Sequence, residues 1–295
     1  MPVFARILPA LLLVPLLAAC GARLLYTQLD WLAPWYVSEF VTLDREQRAQ
    51  LDARLADRLD WHCSSQLPGY MAWLREAGDL VARNEADVQA VERLFARAEG
   101  FRDALLAGIA PDLTELLAAL TEEQIDELAR QIRARNHKAH SEFVDAPSQI
   151  LHERRVRRFE KRLTRWLGPL TDAQRERVER WSHEIVPVAE DWLASRVDWQ
   201  RRLDATLRER ARRDTFAVSI EALVLHPEQY WPDDYRARLA RNRVLVIELL
   251  ADLAALAPQS QRERLQKETD ALATQFERLA CLQSGPKAMR MVQSR

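Results

Sequence analysis

Seven glycines serve 295 residues, about a third of the usual ~7%. Tight turns, phosphate-cradling loops and close backbone approaches all draw on glycine. A chain this poor in it is confined to folds with few such places. No GxGxxG, GxxxxGK[ST] or GxSxG stands anywhere in it, so dinucleotide, P-loop and nucleophile-elbow chemistry in those forms is excluded. Apolar residues recur instead at three- and four-residue steps along most of the chain, the period of a helix with one buried face.

That period divides the chain into segments. Leu25, Leu29, Leu32, Tyr36 and Phe40 make a stripe interrupted at Pro34, with Trp31 and Trp35 beside it. Aromatics at helical spacing are expected in a core, with a membrane interface as the alternative. Gln47, Leu51, Leu55 and Leu59 share a second face that ends near Trp61-His62-Cys63, and Leu67-Pro68-Gly69 is expected to break the chain before Tyr70, Trp73, Leu74 and Leu80. Val88, Val91, Phe95, Leu105 and Ile109 predict a helix closing near Pro111, followed by a short one through Leu113, Leu116, Leu117 and Leu120. Val156, Phe159, Leu163, Trp166 and Leu167 lie opposite a row of cations from Arg154 to Arg165. The row reads as a solvated face with acidic neighbours, the alternative being contact with phosphate headgroups. Thr171 to about Arg213, through Val178 and Trp181, predicts one long spine bent near Pro187, Tyr235 to Leu256 a buried helix, and Leu265, Leu272, Phe276 and Leu279 a last one. The expected class is all-α, an elongated multi-helix bundle of antiparallel helices.

Three helix starts share one pattern: Leu43-Asp44 with Gln47, Leu120-Thr121 with Gln124, and Leu170-Thr171 with Gln174, with a looser echo from Pro258 to Leu265. A cap residue followed three later by Gln is a capping box. The separations of 77 and 50 residues between caps exclude a solenoid of fixed period. The motif is similar to the LTxxQ elements of small periplasmic stress chaperones, although any well-capped helix start looks much the same.

From Ile7 to Ala19 the chain is apolar or small, preceded by Arg6. Thirteen residues fall short of the ~20 that a helix needs to cross a bilayer, so the segment reads as a signal. Leu17-Ala18-Ala19-Cys20 resembles the bacterial lipobox, which implies cleavage after residue 19 and lipidation of Cys20. Gly21 follows where an Asp would favour inner-membrane retention, so the expected address is the outer membrane, facing the periplasm. The mature chain from residue 20 would have 276 residues and a formal charge of −2, Arg6 being the one charge removed. Near-neutrality argues against a nucleic-acid partner. The expected organisation is a signal over 1–19, a helical domain over 20–283 with sub-bundles at about 24–145 and 147–283, and a disordered tail over 284–295. With Cys20 modified, Cys63 and Cys281 remain as a candidate disulfide or as two separate thiols.

The run LDWLAPWYVSEFVTLDREQRAQLDARLADRLDWH, followed by LPGYMAWL, resembles a family of proteobacterial lipoproteins of unknown function, DUF6279. The likeness spans essentially the whole mature chain and is densest from Leu29 to Leu74. Cys63-Ser64-Ser65 stands where that pattern leads one to expect charged residues. The resemblance implies an all-helical lipoprotein and no particular activity.

Candidate chemistry is sparse. His62, His137, His140, His152, His183 and His226 are the only side chains ordinarily poised near neutral pH. His137 and His140, with Glu142 and Asp145 nearby, could approach a metal, but no HExxH supports them and three or four fixed ligands are normally needed. His183-Glu184 lacks the second histidine of a zincin. The sequence therefore points to no catalytic residue, no metal and no cofactor. The expected role is a non-enzymatic envelope binding or scaffold protein, held to the membrane by its lipid and meeting an envelope protein or an unfolded periplasmic client. The alternatives are a chaperone holding such clients and an enzyme with an unrecognised helical site.

Overall fold

The computed structural model describes Tyr26, residues 28–279 and Cys281. The signal segment, Cys20 and the tail at 284–295 lie outside the described residues. Among the described residues there are eleven α-helices and no strand: α1 (Leu29–Ser38), α2 (Arg45–Trp61), α3 (Leu67–Ala82), α4 (Val88–Ala118), α5 (Glu122–Phe143), α6 (Ser148–Leu167), α7 (Asp172–Glu184), α8 (Ala189–Arg208), α9 (Arg213–Leu225), α10 (Asp233–Ala255) and α11 (Gln259–Glu277). The all-α class follows from the periodicity, but several details differ from it.

The first difference is at Leu67-Pro68-Gly69, where the chain does not break. A π-turn over His62–Gln66 carries α2 directly into α3, with Pro68 in the first turn, where a missing N–H costs nothing. The second is α4, which runs unbroken through Pro111 for 31 residues. Pro111 faces solvent, where water can serve the carbonyl one turn back. Third, the expected spine is two helices. Val186 precedes Pro187 and is biased away from helix; Asn242 of α10 takes up both freed backbone groups, accepting from Val186 N–H and donating to its C=O, each at 2.9 Å. Fourth, Trp31, Trp35 and Tyr36 are not core but 59%, 50% and 50% exposed. α1 is short and turns Pro34, with Val37, toward the interior, which leaves its aromatic side outward. α10, expected to be buried, also keeps part of its surface in water at the exposed Val244.

All three full capping boxes are present, at Asp44, Thr121 and Thr171, and their glutamines do more than cap. Gln47 and Gln124 meet face to face, each Nε2 donating to the other's Oε1 at 2.9 and 2.6 Å. Each second Nε2 proton goes to the carbonyl two residues before the partner's cap: Gln47 to Ala119 and Gln124 to Thr42, both at 2.8 Å. Each Oε1 also accepts its own cap's N–H, from Asp44 at 3.0 Å and Thr121 at 2.9 Å. Both donors and both lone pairs of each amide are thus used.

The arrangement is built a second time between α7 and α11. Gln174 donates to Gln261 Oε1 at 2.7 Å, Gln261 donates back at 3.1 Å, and Gln261 also reaches the carbonyl of Pro169, two residues before the Thr171 cap. Pro258 has no N–H and supplies no cap side chain, which is why its echo in the sequence is loose. Leu120, Leu170 and Ala257, the residues just before three of the caps, are buried.

Several apolar clusters fill the interior. The largest joins Leu106 and Ala110 of α4, Ile125 of α5, Leu203 and Leu207 of α8, and Phe216, Ile220 and Leu223 of α9. α9 falls outside the periodic segments read from sequence. The last helix packs along α3, with Leu67, Tyr70, Met71 and Leu74 against Ala273, Phe276 and Leu279. Gly78 permits that approach, since a Cβ there would collide with Thr269 Oγ1 and stand 3.2 Å from the Gln266 backbone. Charged clamps bridge other pairs. Arg243 of α10 holds Glu92 and Glu99 of α4, and the mostly buried Arg177 of α7 meets Asp252 of α10 at 2.7 Å.

Gln174→Ala and Gln261→Ala should each lower unfolding free energy by about 1–3 kcal/mol, because each strands a buried amide. In a double-mutant cycle read by chemical denaturation the two should couple by at least ~0.5 kcal/mol; simple additivity would show that the pair is not one unit.

Candidate functional site

The π-turn directs Cys63 inward, 1% exposed, where it forms a disulfide with Cys281 across a Cα separation of 6.2 Å. Three aromatic groups gather beside it. Tyr26 donates its hydroxyl proton to the Leu59 carbonyl at 3.0 Å. His62 Nδ1 lies 3.1 Å from the same hydroxyl and its Nε2 3.3 Å from the Tyr70 hydroxyl. One tautomer satisfies the whole set: Nδ1–H donates to Tyr26, and Nε2 accepts from Tyr70. Tyr26 stacks on the imidazole and Tyr70 packs against Phe101.

Burial pushes the Tyr26 phenol well above its ordinary value, with Tyr70 and Asp60 adding to it, and pushes Tyr70 up to about 12. Burial also lowers the His62 imidazole. All three groups are held neutral near pH 7, and both imidazole nitrogens are engaged. The cluster thus ties the start of the described chain and its last described residue, Cys281, to the α2–α3 junction.

The other sequence candidates are dispersed. His137 and His140 are exposed on α5, and His140 Nδ1 meets Asp145 at 3.0 Å as a surface pair. Glu142 accepts from Arg154 through its backbone carbonyl. His183 and Glu184 diverge: Glu184 faces Arg177, while His183 stacks on His152 of α6 with ring centroids 4.1 Å apart. Glu179, one turn before His183, stands 2.8 Å from His152 Nε2. His152, Glu179 and His183 thereby form the one group of three metal-competent side chains among the described residues. The i, i+4 spacing of Glu179 and His183 was visible in the sequence; the approach of His152, from another helix, was not.

Three surfaces complete the picture. On α1, Trp31 and Trp35 stack on each other with centroids 6.3 Å apart. The cation row of α6 is largely partnered: Arg154 to the Glu142 carbonyl, Arg155 to the Ser182 carbonyl at 2.7 Å and Arg157 to Glu153. Between α5 and α8 lies a groove of about 250 Å³ whose apolar wall includes Leu128, Ile132 and Val197. No helix among the described residues is long and apolar enough to cross a membrane.

Against known proteins, the pattern of a family of unknown function, DUF6279, matches residues 39–236. The match omits α1 and the last helix, so one partner of the second glutamine pair lies beyond it. No curated protein and no solved structure matches the chain.

The His62 network sets a pH dependence with a definite sign. Its folded pKa is lowered, so the unfolded chain binds the proton more tightly. The stabilisation is complete above the unfolded value near 6.5 and is lost as pH falls toward the lower folded value. Thermal unfolding of the wild type between pH 7.5 and 5 should therefore show a larger loss than His62→Gln; equal slopes would contradict the assignment.

Proposed function

The chain belongs to the family of unknown function DUF6279, and from that footing we propose that it is a lipid-anchored envelope protein that acts by binding through its surface. The observation that carries this reading is the aromatic face of α1. Trp31, Trp35 and Tyr36 are at least half exposed and adjoin one another on α1, and a contiguous exposed apolar patch is a mark of a contact surface. They follow the proposed lipid attachment at Cys20 by only eleven to sixteen residues. At no more than ~3.6 Å per residue, an extended link to Leu29 spans about 32 Å, so α1 stays within reach of the bilayer that holds Cys20. Indole and phenol rings are favoured at the headgroup level. The acyl chains of a lipidated cysteine, at ~0.8 kcal/mol per buried CH₂, would supply the durable attachment and the aromatics its orientation.

On this reading residues 1–19 are removed, the body faces the periplasm from the outer membrane, and its partner is an envelope protein. A second reading, a holder of unfolded clients, is favoured by the apolar groove between α5 and α8. The glutamine motifs no longer lend it support, since Gln47, Gln124, Gln174 and Gln261 are all engaged in fastening helices.

Cys20→Ser should release the protein from the membrane fraction; unchanged fractionation would refute the anchor. In that released form, Trp31→Ala with Trp35→Ala should reduce co-sedimentation with phosphatidylethanolamine–phosphatidylglycerol vesicles several-fold, and equal binding would remove the aromatic contact. Excess Cys20→Ser protein should leave the aggregation of a denatured substrate unchanged; suppression would move the assignment to the second reading.

A further inference from the structure

We propose that His152, Glu179 and His183 form a binding site for a divalent transition-metal ion of the zinc class. His152 comes from α6, Glu179 and His183 from successive turns of α7, and their donor atoms all lie within 4.8 Å of one another. Ligands at ~2.0–2.1 Å from a tetrahedral ion are ~3.3 Å apart, so the exposed His183 must swing out of its stack on His152 to turn a ring nitrogen toward the ion, while Glu179 already stands beside His152 Nε2. Two imidazoles and one carboxylate suit zinc, nickel or copper and poorly suit calcium or magnesium, which take oxygen. Three protein ligands leave a fourth position open to solvent.

The support behind the ligands distinguishes this group from a chance surface cluster. His152 Nδ1 is 2.9 Å from Ser182 Oγ, and Ser182 is 2% exposed. Arg155 donates to that same oxygen at 3.2 Å and to the Ser182 carbonyl at 2.7 Å, fixing the serine from behind. In the metal-free chain Nε2–H donates to Glu179 and Nδ1 accepts from the Ser182 hydroxyl; an ion taking the place of the Nε2 proton would reverse the second bond, Nδ1–H then donating to Ser182, the outer partner that metal-bound histidines require. The scaffold is stiff, for Val156, Val178 and Trp181 pack with Leu249 and Leu253 directly beneath the two helices. Arg155 raises the electrostatic cost of adding a dication, and the Glu179 carboxylate opposes it.

Chelator-stripped Cys20→Ser protein should bind one equivalent of Zn²⁺ in isothermal titration. Co²⁺ as a spectroscopic probe should give the intense visible bands of a tetrahedral site. His183→Ala and Glu179→Gln, both at exposed positions, should each weaken Zn²⁺ binding at least about tenfold with unchanged helical circular dichroism. Ser182→Ala, which removes no ligand, should weaken it by about tenfold. His137→Ala with His140→Ala should leave it unaltered. Zinc affinity unchanged in a His183→Ala, Glu179→Gln double variant, or no binding by the unsubstituted site up to about 1 mM zinc, would overturn the proposal.

Discussion

The fold depends on a reciprocal bond between glutamine side chains at the starts of helices far apart in sequence. A helix start leaves four backbone N–H groups without intrahelical partners, and burying one against another helix start would strand those groups together with the carbonyls that precede them. The N3 glutamine resolves both demands at once. Its oxygen takes its own cap N–H, and its nitrogen crosses to the partner glutamine and the carbonyl before the partner's cap. Two helix starts can then abut with no polar group of the amide pair unused, and buried residues such as Leu120, Leu170 and Ala257 are delivered to the core beside them.

The reciprocal amide pair appears twice, complete between Gln47 and Gln124, 77 residues apart, and in part between Gln174 and Gln261, 87 apart, where Pro258 has no N–H and Gln174 reaches the Leu253 carbonyl instead. Each instance follows a long helix, α4 before α5 and α10 before α11. The two instances are not isolated from each other. α11 lies along α3 through the contact that Gly78 opens, Arg243 connects α10 to α4, and the Cys63–Cys281 bond closes the chain over a separation of 218 residues. Closing so long a loop restricts the unfolded chain strongly, worth a few kcal/mol in the chain-entropy view.

Much of this was legible beforehand, for identifiable reasons. Apolar residues at helical steps announce helices because only one face of each is dry, and the caps at Asp44, Thr121 and Thr171 announce their starts because a side-chain oxygen must serve the N3 amide. What escaped depended on contacts between segments. Nothing local to Pro111 says that it will face water and leave α4 intact, and nothing local to Val186 says that Asn242, 56 residues on, will take up its backbone. The outward turn of Trp31 and Trp35 was hidden because spacing reports a face and not what covers it. The gathering of His152 with Glu179 and His183 was hidden for the same reason, since it is the packing of α6 on α7 that brings them together.

The surfaces left over once the fold is satisfied point toward binding. The aromatic side of α1 lies next to the proposed tether, the groove between α5 and α8 is apolar, and the histidine–glutamate group sits on a stiff helical pair. The groove and the histidine–glutamate group each use a helix, α5 and α7, whose start a glutamine pair fastens, and those pairs can be examined directly. Native-state hydrogen exchange, resolved by residue in the Cys20→Ser protein, would follow the N3 amides of Gln47, Gln124 and Gln174 and the cap amides of Asp44, Thr121 and Thr171. Helix starts normally fray and exchange early. Here these amides should open only with the global unfolding of the chain, whereas fast exchange like that of an ordinary helix end would contradict the account.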